Sequence, residues 1–144
     1  MSSETGPYLN IAAFCEQVLT EAGGVISLIR VVDRLMVTAQ GPSASETMPH
    51  TPFKWFLVLN FKGGKTRGTH DIKVEPELPS GLKKTPFIFS VHFEGENRGT
   101  GVVTQMQMVL EEPGIYWFRI YLDNNFITQV PLEVIYTKMI SPSR

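Results

Sequence analysis

Apolar and polar side chains alternate with a period of two residues along most of the chain, and this pattern constrains the fold more than any other feature. The odd positions are apolar in residues 55–61 and 87–93, whereas the even positions are mainly apolar in residues 102–110. Such alternation is typical of β-strands that bury one face. Residues 115–122 and 126–136 are rich in the aromatic and β-branched side chains that favour strands. The sequence therefore predicts a mainly β protein.

The N-terminal third of the chain is ambiguous. Residues 27–38 read as one long strand that is apolar on both faces except at three charged positions. Residues 11–22 carry apolar side chains at helical spacing, which favours a helix before that strand. The alternative is a hairpin in which residues 9–19 form a strand and turn at residues 22–24. Because the long strand needs a neighbour, we favour the hairpin.

Turn-forming residues separate the predicted strands. Residues 39–52, 75–86 and 95–101 are expected to be loops because of their proline, glycine and polar content. Gly63 and Gly64 are expected to form a tight hairpin turn.

The last two strands support a sharper prediction about their turn. If the even residues of both strands face one core, Leu122 pairs with Phe126, because cross-strand partners share a face. Asp123 to Asn125 then form a three-residue loop, with Asn125 in the left-handed region.

The length of 144 residues suits one domain of common size. Seven or eight short strands separated by turns predict an all-β fold, namely an antiparallel two-sheet sandwich, with a closed barrel as the alternative. We therefore expect one domain over residues 1–144, with residues 1–7 and 138–144 as flexible tails.

Two parts of the sequence resemble a known group of proteins. The first is Phe-Cys-Glu at 14–16 with Gly-Val-Ile-Ser-Leu-Ile-Arg-Val-Val-Asp-Arg at 24–34. The second is Pro-Gly-Ile-Tyr-Trp-Phe at 113–118, Leu-Asp at 122–123 and Val-Pro-Leu at 130–132. These segments are similar to those of an uncharacterised family of small bacterial proteins with an immunoglobulin-like β-sandwich. The resemblance implies that the N-terminal segment is a strand hairpin, and it supplies no catalytic motif.

Composition excludes several classes of partner. The formal net charge is −1, so the chain has no overall attraction to nucleic acid or to an anionic membrane.

A single cysteine, Cys15, cannot form an internal disulfide. The first residues lack the basic start and apolar stretch of a signal peptide. We therefore expect a protein of the bacterial cytoplasm.

Reactive residues do not form a recognisable motif. Gly-Gly-Lys-Thr at 63–66 is not a phosphate-binding loop, because Leu59 occupies the position where that motif needs glycine. Cys15 has apolar neighbours and is expected to be a buried thiol. The carboxylates of Glu75 and Glu77 are expected to be solvated in a proline-rich loop, where no carboxyl group is desolvated for acid–base chemistry.

The most informative candidate surface lies on the strand at residues 115–122. Its even residues are apolar, yet its odd residues include Trp117, Arg119 and Tyr121. A surface strand should be polar on its second face, so these side chains either contact a covering loop or form a binding surface. Pro131 on the next strand lacks an amide donor and predicts a local edge or bulge.

The sequence therefore favours a non-enzymatic protein-binding or assembly module without a cofactor. A protein partner, or self-association into a homo-oligomer, would use Trp117, Arg119 and Tyr121 as the interface. One alternative is a carbohydrate-binding module that stacks sugars on the exposed aromatic rings. The other is a small metal-dependent hydrolase built from His70, Asp71 and His92, although the spacing of these residues matches no metal motif.

Overall fold

The computed structural model of the protein describes residues 5–42 and 44–139, which form nine β-strands. They are β1 (Tyr8–Thr20), β2 (Ile26–Val32), β3 (Arg34–Gln40), β4 (Thr51–Lys62), β5 (Arg67–Glu77), β6 (Phe87–Glu94), β7 (Thr100–Leu110), β8 (Gly114–Leu122) and β9 (Asn125–Met139). This is slightly more strands than the sequence predicts. No helix in the described part of the chain is long and apolar enough to cross a membrane.

The strands form two separate sheets, so the fold is a sandwich rather than a closed barrel. One sheet has four strands in the order β2-β1-β4-β7, and the other has five in the order β3-β9-β8-β5-β6. Every described pairing is antiparallel except that of β3 with β9, which is parallel. The predicted antiparallel sandwich is therefore confirmed, with one parallel pair at an edge.

An aromatic cluster joins the two sheets at the centre of the core. Phe14 and Trp55 come from the four-stranded sheet, and Phe118 comes from the five-stranded sheet. The ring of Phe14 lies edge-on to both others, with centroids 5.0 Å from Phe118 and 5.8 Å from Trp55. Edge-to-face contacts of this kind add to the stabilisation that comes from burying apolar area.

The N-terminal hairpin is confirmed, because β1 and β2 pair antiparallel from Phe14–Val32 to Thr20–Ile26. The single long strand predicted at residues 27–38 is wrong, however. The chain leaves the four-stranded sheet at Val32, passes through Asp33 and enters the five-stranded sheet as β3. The core-facing positions therefore change from even in β2, such as Val32, to odd in β3, such as Leu35 and Val37, while Val31 and Met36 are apolar residues exposed on the outer faces.

The three-residue loop predicted at the end of β8 is also wrong. Leu122 pairs with Asn125, and the two loop residues Asp123 and Asn124 both have positive φ angles, 50° and 66°. These angles are typical of a type I′ hairpin turn. A β-bulge then shifts the register, because Tyr121 pairs with Phe126 whereas Ile120 pairs with Thr128. The two-residue turn places Phe126 opposite the outward Tyr121, so Phe126 is 54% exposed instead of entering the core. The extra residue of the bulge then returns the even residues from Thr128 onward to the inner face.

The Gly63–Gly64 turn is not the predicted hairpin, since β4 and β5 lie in different sheets. It is an arch that crosses the end of the sandwich in close contact with two other backbone segments. A Cβ on Gly63 would lie 2.3 Å from the carbonyl oxygen of Arg98, and one on Gly64 would lie 2.7 Å from that of Thr5. Glycine is needed here because the backbones approach so closely.

A second arch, from β7 to β8, is fixed by a buried tyrosine. The hydroxyl of Tyr116 donates to the carbonyl oxygen of Glu112 at 2.8 Å and accepts from the amides of Glu111 and Glu112 at 3.2 Å. A tyrosine at this corner, bonded to backbone a few residues upstream, is a feature of immunoglobulin-like sandwiches. The protein has an immunoglobulin-like β-sandwich fold.

Parts of both predicted tails belong to the fold. The carbonyl oxygen of Thr5 accepts a hydrogen bond from the amide of Lys65, and Gly6 is buried. Lys138 and Met139 continue strand β9, and the Lys138 ammonium is paired with Glu46 at 2.5 Å. Residues 1–4 and 140–144 of the two predicted tails lie outside the described residues.

Candidate functional site

The predicted interface residues Trp117, Arg119 and Tyr121 lie on the outer surface of the five-stranded sheet. Their alternate neighbours on β8, such as Phe118 and Ile120, are fully buried in the core, so the odd residues must project outward. Strand β8 lies in the middle of the sheet, between β9 and β5. All three side chains are partly exposed. We call this row, with the adjoining Lys73, Glu77 and Phe126, the aromatic face.

An ion pair holds the centre of the aromatic face. The guanidinium Nη1 of Arg119 lies 2.5 Å from Oε1 of Glu77 on the neighbouring strand β5. The two side chains are only 27% and 22% exposed, so water screens this contact less than it screens a typical surface pair. The pair fixes the direction of the Arg119 side chain on the sheet.

Tyr121 is also held by two neighbours. The ammonium nitrogen of Lys73 lies 4.6 Å from the centroid of the Tyr121 ring, in cation–π contact. The ring of Phe126 meets it edge-on at 5.8 Å. The two-residue turn brings Phe126 into this position, because it places Phe126 opposite Tyr121 on the outer face.

The long loops direct buried apolar side chains into the core, and Lys83 of the loop after β5 also lies opposite Glu77 in an isolated β-bridge. Met48 of the loop between β3 and β4 is 6% exposed, and Leu78 of the loop after β5 is 3% exposed, both within the core cluster. Among residues 5–42 and 44–139, no hydrogen bond or ion pair links either loop to Trp117, Arg119 or Tyr121.

Glu75 and Glu77 are not in a solvated loop, as the sequence predicts, but in the last part of strand β5. Glu75 lies opposite Arg119 and Glu77 opposite Trp117 in the ladder with β8. Both carboxylates are largely shielded, at 20% and 22% side-chain exposure. The prolines of the segment led to the wrong assignment, although Pro76 itself lies within the strand.

Lys73, Glu77 and Phe126 are the members of this site that the sequence analysis missed, and the first two lie on β5. The signal that could have found these two is the alternation of apolar Ile72, Val74 and Leu78 with charged odd residues, which continues through the proline. This alternation extends the strand to Glu77 and places the charged side chains on the outer face.

A cleft of about 490 Å³ lies at one end of the sandwich, beside the turn that joins β8 and β9. His70 and Asp123 line it, and Nδ1 of His70 lies 2.5 Å from Oδ2 of Asp123. The other carboxylate oxygen, Oδ1, accepts a hydrogen bond from the amide of Asp71 at 3.0 Å. Asp123 therefore attaches the turn to strand β5.

His70 is engaged at both ring nitrogens. Its Nε2 lies 2.8 Å from the carbonyl oxygen of Arg67, so both nitrogens donate when the ring is an imidazolium. The hydrogen bond to Asp123, followed by that to the Arg67 carbonyl, raises the pKa of His70 above its ordinary value. The hydrogen bond to His70 lowers the pKa of Asp123. This geometry suits a structural ion pair, since a general base needs a free nitrogen that can accept a proton.

The three residues of the metal-dependent alternative do not come together. His70 faces inward and contacts the ring of Phe93, whereas His92 faces outward and bonds to Thr69 through Nδ1 at 3.2 Å. Asp71 lies on the outer face, opposite Ser90. Within the described ranges, no group of three metal-ligating side chains is close enough to hold an ion.

Cys15 is fully buried, as its apolar neighbours predict. Burial raises the pKa of the thiol above its ordinary value, which disfavours the reactive thiolate. The residue lies on the outer side of the four-stranded sheet, since it pairs with Phe56 while its neighbour Phe14 enters the core. A buried thiol of this kind is a packing element.

Pro131 lies at a local edge, as its missing amide predicts. Strand β9 pairs with β8 along most of its length, but its parallel pairing with β3 begins only at Glu133. At Pro131, β9 therefore has a strand neighbour on the β8 side only.

Comparison with solved structures gives distant matches. The CARDB domain of a Pyrococcus furiosus protein, in complex with di-metal ions, is 12% identical, with a TM-score of 0.46 over 94% of this chain and 99% of that chain. An immunoglobulin-like protein from Pseudomonas aeruginosa is 9% identical, with a TM-score of 0.42 over 92% of this chain and 99% of that chain. These are likenesses of overall fold.

Comparison at the level of sequence is more decisive. No curated protein gives a significant match to this chain. The profile of a family of unknown function, DUF6941, matches residues 10–135. Since this match extends over most of the chain, from β1 to β9, the protein belongs to the DUF6941 family.

Proposed function

We propose that the protein is a non-enzymatic binding module that takes a partner protein on the aromatic face. The observation that carries this proposal is the outward-facing row of Trp117, Arg119 and Tyr121 on a central strand of the five-stranded sheet. Tryptophan, tyrosine and arginine are the residue types most enriched among those that dominate the binding energy of protein interfaces.

Two of the three residues in the row are held in place before any partner arrives. Arg119 is held by Glu77, and Tyr121 is held by Lys73 and Phe126. Association loses free energy when flexible side chains must be ordered, by about 0.5–1.5 kcal/mol for each one. A partner would therefore bind a surface that has already lost most of this freedom.

Apolar area at both ends of the row enlarges the surface. Ile115 is 46% exposed at one end, and Phe126 is 54% exposed at the other. Glu133 lies between Ile115 on β8 and Arg34 on β3 in the register of the sheet, so this rim carries charges of both signs. An apolar centre with a mixed polar rim fits a protein partner better than a polyanion.

The contacts of Tyr121 argue against the carbohydrate-binding alternative. Sugar stacking needs an open ring face, whereas the Lys73 ammonium lies over the Tyr121 ring and Phe126 contacts its edge. A sugar stacked on this ring would have to displace Lys73, and the cation–π contact between Lys73 and Tyr121 would be lost.

The chemistry of the reactive side chains supports binding over catalysis. Both ring nitrogens of His70 are engaged in hydrogen bonds, and the thiol of Cys15 is sealed from solvent. The carboxylate of Glu77 is already bound to Arg119. Each of these groups therefore has a structural partner or a structural role in the fold.

The test compares partner capture by wild type, Trp117→Ala, Arg119→Ala and Phe56→Ala. Phe56 is the matched control, because it is a partly exposed aromatic residue on the outer side of the other sheet. We expect the control to keep the affinity of wild type for the captured protein. Each of the other two variants should weaken binding by about 2 kcal/mol, which is roughly a 30-fold change in Kd.

Equal affinity of all four proteins for every captured partner would contradict the proposal. So would loss of binding in Phe56→Ala alone, because it would place the interface on the opposite sheet. Circular dichroism of each variant confirms that the compared proteins are folded.

A further inference from the structure

Strand β7 has one unpaired side. It is the last strand of the four-stranded sheet and, among residues 5–42 and 44–139, pairs only with β4, without interruption from Thr100–Phe61 to Leu110–Thr51. In the described part of the chain, residues 100–110 form no backbone hydrogen bond outside that ladder. A row of amide and carbonyl groups on the far side of β7 is therefore available to another strand.

The strand lacks the features that usually protect such an edge. Its eleven residues include no charged side chain and no proline, and the register with β4 shows no bulge. Each other edge strand carries at least one charge, namely Arg30 on β2, Arg34 on β3 and Glu94 on β6. Natural proteins block sheet edges with charges, prolines and bulges, so an unprotected long edge indicates a pairing surface.

The outward side chains of β7 form a palindrome. In chain order they are Val103, Gln105, Gln107 and Val109, which read the same in both directions about Met106. Two antiparallel copies related by a two-fold axis at Met106 would place Val103 opposite Val109, and Gln105 opposite Gln107. Cross-strand pairs of like character are the unit of stabilisation in a sheet, and a two-fold interface must be self-complementary.

The same pairing would bury apolar surface that is now exposed. Val103 is 44% exposed and Val109 is 50% exposed. An open cleft of about 450 Å³ beside the C-terminal part of β7 also exposes Met108 and Phe87. Pairing along the strand would form roughly eight to ten backbone hydrogen bonds, a number typical of specific interfaces.

We propose that β7 is a self-association edge. Two copies of the chain pair their β7 strands antiparallel about Met106, which joins two four-stranded sheets into one continuous sheet of eight strands. This surface belongs to the opposite sheet from the aromatic face and does not depend on it. The dimer presents two aromatic faces, one on each copy.

Charge substitution at the two glutamines tests both the dimer and its register. Gln105 and Gln107 are exposed, so charged residues at these positions leave the core intact. Gln105→Glu with Gln107→Glu places like charges opposite each other, whereas Gln105→Lys with Gln107→Glu places opposite charges there. The matched control, Thr38→Glu with Gln40→Glu, alters two exposed positions of the same spacing on edge strand β3.

Light scattering coupled to size-exclusion chromatography gives the mass of each variant. We expect a dimer for wild type, the control, the lysine–glutamate variant and Trp117→Ala, and a monomer for the double-glutamate variant. A monomeric wild type at the highest soluble concentration would overturn the proposal. A dimeric double-glutamate variant, or a lysine–glutamate variant that stays monomeric, would also overturn it.

Discussion

Arg119 pairs with Glu77, although Glu75 is its direct cross-strand neighbour in the ladder between β8 and β5. Glu77 is in register with Trp117, two residues along β8. The Arg119 side chain therefore runs diagonally across the sheet toward Trp117. This diagonal contact ties the charged and aromatic parts of the face into one unit.

Coupling energies should distinguish the two glutamates. We expect a double-mutant cycle of Arg119→Met with Glu77→Gln to give a coupling free energy of about 1 kcal/mol, because the pair is largely shielded from solvent. The matched cycle of Arg119→Met with Glu75→Gln should give a value close to zero. Urea unfolding of the single and double variants measures both energies, and equal coupling in the two cycles would disprove the diagonal pairing.

Loss of the Tyr116 hydroxyl should destabilise the fold. The variant Tyr116→Phe keeps the ring in the core but leaves two amides and one carbonyl of the β7–β8 arch without this partner. We expect the free energy of unfolding to fall by about 1–3 kcal/mol. The control is Tyr121→Phe, since the Tyr121 hydroxyl has no hydrogen-bond partner among the residues that the structure describes. A larger loss in the control than in Tyr116→Phe would contradict this role.

Stability should depend on pH through the His70–Asp123 pair. The pKa of His70 is raised in the fold, so its stabilisation is complete below about pH 6.5, the ordinary value, and is lost as pH rises through the raised pKa. The pKa of Asp123 is lowered, so its stabilisation is present above about pH 3.8 and is lost as pH falls. The pair therefore contributes most between these two values.

Chemical denaturation across this range checks the prediction. The difference in unfolding free energy between wild type and Asp123→Asn should be largest near pH 5–6 and should shrink at alkaline pH. Asparagine is a suitable replacement because it tolerates the positive φ of this position and keeps an oxygen for the Asp71 amide. His70→Gln should show the same profile. A constant difference at all pH values would refute the role of the pair.

Alanine should lower the free energy of unfolding more at Asn124, inside the type I′ turn, than at the adjacent Asn125. Asn124 has a φ of 66°, so Asn124→Ala should lower the free energy of unfolding by about 1 kcal/mol. Asn124→Gly should leave stability unchanged or increase it, because glycine adopts this angle without strain. Asn125 pairs with Leu122 as the first residue of β9, and Asn125→Ala is the control with little effect. Thermal unfolding of the three variants provides the comparison, and similar losses in both alanine variants would argue against this turn.

Side-chain alternation predicted much of the sandwich, because it reports which residues are buried. Strands β4, β6, β7, β8 and β9 occur close to where the pattern places them, and the N-terminal hairpin is confirmed. The pattern does not report which sheet buries a side chain. For this reason the pattern predicts one continuous strand where the chain in fact changes sheet at Asp33, between Val32 and Leu35.

Parity placed Trp117, Arg119 and Tyr121 on the outer face but could not identify their partners. Parity predicts pairing correctly only when the ladder between β8 and β9 is regular, and the bulge after Phe126 interrupts that ladder. The two-residue turn brings the Phe126 ring to Tyr121, although the sequence alone assigns Phe126 to the core. Glu77 was missed because the prolines around it obscured the continuing alternation of β5.

The parallel pairing of β3 with β9 has a consequence for synthesis on the ribosome. All strands of the four-stranded sheet have been made once Leu110 has been added, whereas the five-stranded sheet needs the chain up to Met139. Strand β3 is made early but pairs only with β9 among the described strands, so its hydrogen bonds cannot form until the last strand has been made. Contacts between strands so far apart in sequence form slowly. A nascent chain thus holds one sheet with its apolar side uncovered. A stop codon at the start of β9 would leave β3 without a strand neighbour and β8 with β5 alone.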